Sequence, residues 1–141
     1  MQRYTDWLRQ AERNLKSAEA NMQSGIYEEV CYESQQVAEK AVVALLDFHH
    51  MELRGHSVTL LLRKLNIQVP KEVEDCVQEL DKHYIPSRYP DVYDEGAPAD
   101  YYNERDAREC LECGRKVLEW VRGLSEGLCE KYSRFRPRLV V

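Results

Sequence analysis

The sequence predicts an all-α protein: an up-and-down bundle of four to five helices. Apolar residues recur by steps of three and four along nearly the whole chain, the spacing of one helical face. No run alternates apolar and polar in the way a half-buried strand would. Long amphipathic runs joined by short links favour such a bundle.

In the first helix Leu8, Ala11, Leu15, Ala18 and Met22 share a face, with Thr5 as the expected N-cap and Gly25 as the stop. In the second, Val30 or Cys31, Ser34, Val37 or Ala38, Ala41, Leu45 and Phe48 repeat the pattern, and the helix should run to about His50. After Gly55, Ser57 can cap a short helix carrying Leu60, Leu61 and Leu65. Pro70 suits the first position of a fourth helix with Val73, Cys76 or Val77, Leu80 and Tyr84 inward. A loop, "YIPSRYPDVYDEGAPAD", precedes a long last helix whose stripe is Cys110, Gly114, Val117, Val121, Leu124 and Leu128. One domain is expected over residues 1–130. Residues 131–141, with Lys131, Arg134, Arg136 and Arg138, read as a basic, flexible tail or a local contact for a partner.

With 141 residues the chain suits one domain with a real core. A net charge of −5 argues against a duplex-DNA binder, which needs a basic face, yet leaves room for a local phosphate site. No apolar run is long enough to span a bilayer, and "MQRYTDWLRQ" lacks a signal-peptide core, so a cytoplasmic protein is expected. Five cysteines are an odd number, and four fall on helix-core spacings, so reduced buried thiols are expected, not a disulfide framework.

Each candidate for chemistry has a plain alternative. Cys110 and Cys113 form a C-x-x-C, but a structural zinc needs two more ligands, and no second C-x-x-C or H-x-x-x-H follows. Core thiols are the simpler reading, and no metal is expected. His49 and His50 point about 100° apart on a helix and do not readily share a metal. Gln36 and Lys40 share one helix face, Gln35 and Glu39 another: either a solvated face or the polar rim of a cleft or dimer contact. His56 precedes a helix N-terminus, where free N–H groups attract anions, or else belongs to a capping turn. Pro86 and Pro90 fix their own φ and push Ile85 and Tyr89 toward extended backbone. A loop stiffened in this way holds the planar donor fork of Arg88 in place, either for a carboxylate or phosphate or for a local staple to Asp91.

Three stretches together resemble the HEPN family. They are the run Y-x-x-x-x-Y-x-x-Q-Q-x-x-E-K-A from Tyr27 to Ala41, G-H-S-V-x-x-L-L from Gly55 to Leu62, and L-D-x-x-Y-I-P-S-R-Y-P-D from Leu80 to Asp91. The resemblance extends from about Tyr4 to about Leu128. It implies a four- or five-helix bundle, usually a homodimer, and often a minimal nucleotidyltransferase partner in a two-part toxin–antitoxin-like system. Some relatives are metal-independent ribonucleases carrying an arginine, four to six intervening residues and a histidine. No arginine stands at that distance before His49, His50, His56 or His83, and Arg88 is followed by "YPDVYDEG", so that motif is absent.

The expectation is therefore a non-catalytic dimeric module, without a cofactor, that binds a nucleotide or a nucleotidyltransferase. Lys40 and Arg88 would meet phosphate, and Tyr84 or Tyr89 would stack on a base or pack the dimer. Gln36, Glu39, His56 and Asp91 complete the candidate set. The alternatives are a divergent ribonuclease using His56 or His83 with Arg88, and a purely structural helical protein.

Overall fold

A computed structural model describes residues 3–51 and 54–135. The elements are α1 (Tyr4–Gln23), α2 (Tyr27–Phe48), α3 (Val58–Arg63), α4 (Lys71–Asp81), a 3₁₀ turn (Pro90–Val92), α5 (Pro98–Tyr101) and α6 (Glu104–Phe135). Among the described residues there is no strand, and the protein is an all-helical bundle. No helix among them is long and apolar enough to cross a membrane.

The bundle is organised around α2. Its side chains from Val30 to Leu46 are buried almost all round, which is how a helix packed by neighbours on every side reads. α1 and α6 lie against it, and α3 and α4 close the other flank. Val37, Ala41, Leu45, Val58, Leu61, Val77, Leu80, Val117 and Val121 form one continuous core. Gly114 lets α6 approach closely, since a Cβ there would stand 3.2 Å from the Ser34 carbonyl oxygen.

Helix ends show why the boundaries fall where they do. Gly25 is left-handed at φ 74°, and the N–H groups of Gly25 and Ile26 return to the carbonyls of Met22 and Asn21, closing α1 as expected. α2 closes in the same way with His50 in the left-handed position, φ 57°, where glycine is the usual residue. Thr5 is not the N-cap of α1: Arg3 occupies that position, and Thr5 lies inside the first turn. Ser57 does cap α3, accepting from the Leu60 N–H. Leu60 itself is 56% exposed, and Val58 and Leu62 take the inward places beside Leu61 and Leu65.

The disulfide expectation needs correction. Cys76 of α4 and Cys113 of α6 form a disulfide, while Cys31 and Cys110 are free and buried. α6 continues through Phe135, so residues 131–135 of the expected tail are helical; residues 136–141 lie outside the described residues.

Candidate functional site at the Arg88 loop

The chain after α4 does not leave the bundle as an extended strand. Ser87 N–H donates to the His83 carbonyl, and Tyr89 N–H to that of Ile85, so the backbone keeps winding through Pro86. Ile85 therefore sits within a turn, against the expectation, while Tyr89 is extended at φ −117° before the 3₁₀ turn. The loop is tied down further by its tyrosines. Tyr93 Oη donates to the Pro86 carbonyl at 2.9 Å, and the Tyr93 and Tyr101 rings stack 4.2 Å apart.

Arg88 is fixed by this frame. Its guanidinium carbon lies 4.5 Å from the ring centres of Tyr32 and Tyr84 and 4.9 Å from that of Tyr89. Its Nε donates to the Tyr84 carbonyl at 3.0 Å. The staple to Asp91 does not form: among the described residues Arg88 has no ion pair, and Asp91 stands exposed in the 3₁₀ turn. The ring faces attract the cation and hold the fork flat without neutralising it. Glu29 feels the Arg88 charge. Burial and the neighbouring Glu33 and Glu28 raise its carboxyl more than Arg88 lowers it.

Beside Arg88 runs a polar seam along α2. The His56 ring stacks on Tyr84 at 5.1 Å and meets Glu39 Oε1 through Nδ1 at 3.0 Å. Gln35 donates to the His56 carbonyl at 3.0 Å, and Gln36 to Gln35 Oε1 at 2.8 Å. Lys40 donates to Gln36 Oε1 at 3.3 Å and to Asn14 Oδ1 at 2.8 Å. Burial raises the Glu39 carboxyl and lowers the Lys40 ammonium, because each charge has lost water. The seam thus brings Gln36, Glu39, Lys40, His56, Tyr84, Arg88 and Tyr89 into linked contacts, and leaves Asp91 outside.

The helix N-terminus next to His56 is not open to an anion. The Asp81 carboxylate accepts from Val58 N–H at 3.0 Å, Thr59 N–H at 2.8 Å and the Thr59 hydroxyl at 2.6 Å. Ser57 and Asp81 occupy that N-terminus, and His56 lies in the turn before it. Sequence reasoning paired Gln35 with Glu39 but missed the roles of Asp81 and Tyr32. The spacing of Tyr32, Gln35 and Glu39 by three and four was a usable signal, since it puts all three on one helical face.

A family model for the HEPN domain matches residues 4–124. The chain is 30% identical over 140 residues to a Methanocaldococcus jannaschii protein named "Putative toxin MJ1304", covering 90% of this chain and 89% of that one. Among solved structures, TT1696 from Thermus thermophilus superposes with a TM-score of 0.84 at 37% identity, covering 87% of this chain and 98% of that one. ST0689, an archaeal HEPN homologue, superposes with a TM-score of 0.76 at 51% identity, covering 88% and 98%. With its family-matched span enclosing every residue of the Arg88 seam, the chain belongs to the HEPN family.

Proposed function

We propose that this protein is a dimeric, non-catalytic HEPN module that binds a nucleotide or a nucleotidyltransferase partner at the Arg88 seam. The carrying observation is the arginine itself: a guanidinium fixed by three tyrosine rings and one carbonyl, with no ion pair to a carboxylate among the described residues. A held cation beside a Tyr89 ring that is 45% exposed suits a phosphate next to a stacked base, or an acidic partner surface. Lys40 supplies a second cation in the same seam, at half-buried depth, and its lost hydration favours an incoming anion. Light scattering combined with a thermal-shift scan tests this reading, with common nucleotides, short RNA and a candidate nucleotidyltransferase as ligands. A dimer stabilised by one of them, with the effect lost in Arg88→Ala while the helical CD signal stays, is the expected result. Binding that survives Arg88→Ala overturns the site.

One observation favours a second reading. His56 and Arg88 both rest against the Tyr84 ring, and the His56 side chain is 65% exposed. An imidazole and a guanidinium this near to each other suit a divergent ribonuclease, a role in keeping with a relative named as a toxin. RNA cleavage in EDTA that vanishes in His56→Ala or His83→Ala would favour it over the binding module.

A further inference from the structure

A second cluster lies in the interior, built from three separate elements. Cys31 comes from α2, Cys110 from α6, and His83 from the turn after α4. One ligating atom of each lies within 4.8 Å of the other two. Both thiols are buried, and the imidazole is largely covered. Apolar packing alone does not call for two thiols to face a histidine.

We propose that Cys31, Cys110 and His83 form a binding site for a soft or borderline divalent cation of the zinc class. Two sulfurs and one imidazole nitrogen are the donor set such an ion selects. Bonds of about 2.3 Å to sulfur and about 2.0 Å to nitrogen place tetrahedral ligand atoms roughly 3.5–3.8 Å apart. Atoms already within 4.8 Å reach that spacing through small side-chain rotations. The surroundings also orient the ligands. Tyr102 Oη holds His83 Nδ1 at 2.8 Å, which leaves Nε2 for the metal. Glu79 Oε1 stands 3.4 Å from Nε2, so a Glu79 oxygen or a water can take the fourth position.

Binding displaces both thiol protons; that of Cys31 now points to the Asp106 carbonyl at 3.5 Å. The His83 carbonyl also receives the Ser87 N–H and hydroxyl, so a metal on His83 would anchor the start of the Arg88 loop. The proposal stands independently of nucleotide or partner binding.

The test uses the full chain, stripped with EDTA and titrated anaerobically with cobalt(II) chloride. The expected result is one equivalent bound, with thiolate-to-cobalt charge-transfer absorption and tetrahedral d–d bands, displaced by zinc chloride. Zinc should also raise the unfolding temperature of the stripped protein. Cys110→Ala and His83→Gln should each lose the spectrum, and Cys76→Ser/Cys113→Ser should keep it. Alanine at position 110 keeps an apolar core, and CD checks that each variant is folded. A folded wild type that binds no cobalt overturns the proposal. So does a spectrum that persists in Cys31→Ala/Cys110→Ala, or one lost in Cys76→Ser/Cys113→Ser.

Discussion

Arg88 is held by aromatic faces, and that choice of partner decides its behaviour. A carboxylate would have cancelled its charge; three tyrosines fix its position and leave the charge available. Arg88→Ala should therefore cost some stability as well as binding, about 1–2 kcal/mol for a part-exposed cation over rings, or a few degrees in Tm. Thermal denaturation of the two proteins without ligand checks this. Glu39 carries a pH signature. Its carboxyl is raised from the ordinary 4.5 because burial penalises the charge more than His56, Lys40 and Gln35 favour it. The folded state keeps the proton to a higher pH than the unfolded chain. The stability from this group is thus full below the unfolded value and is lost as pH rises through the folded one. Glu39→Gln has no proton to lose, so its Tm advantage over wild type should grow between about pH 4 and 7. A constant difference across that range would contradict the assignment. At this scale family signature and residue chemistry single out Lys40, Tyr84 and Arg88, and the structure links the three through Gln36, Gln35 and His56. Asp91 was misread: its closeness along the chain suggested a staple, yet it stands exposed within the 3₁₀ turn.

The elements follow their periodicity, and the misses have local causes. Thr5 looked like a cap because hydroxyl side chains favour that place, yet α1 begins two residues earlier than such a cap implies, at Tyr4 with Arg3 as N-cap. The cap that organises α3 comes from 22 residues further on, in Asp81, which no local pattern in the α3 segment announces. Asp81→Ala should cost about 1–2 kcal/mol and speed amide exchange at Val58 and Thr59 before the rest of the bundle opens. Unchanged exchange at those two amides would show that Asp81 is not what holds the turn. Between α2 and α6, Ser34 Oγ is buried with no hydrogen-bond partner, opposite Gly114. An unsatisfied buried hydroxyl is costly, so Ser34→Ala should raise the unfolding free energy by about 1 kcal/mol, read as a higher urea midpoint with the m-value unchanged. The loop after α4 was misjudged at Ile85 because the rule for residues before proline is statistical. Here the His83 and Ile85 carbonyls keep the turn closed.

At the scale of the whole molecule, the bundle and its family were readable, because long amphipathic runs admit few other arrangements. The Cys31–His83–Cys110 cluster was not. Metal motifs are sought as paired spacings within a short stretch, and these three residues are 52 and 27 positions apart in turn, joined only by the fold. The same search set Cys113 beside Cys110, whereas Cys113 turns to α4 and pairs with Cys76. For function, the central claim is that the Arg88 seam is a binding surface and not merely a brace. The most direct measurement is NMR of isotope-labelled protein titrated with nucleotides and with a nucleotidyltransferase partner, following the Arg88 side-chain Nε–H and the amides of Lys40, Tyr84 and Tyr89. Saturable shifts concentrated on those signals are the predicted result. Shifts confined to another face, or none at saturating concentrations of every ligand, would contradict it and leave the seam as architecture alone.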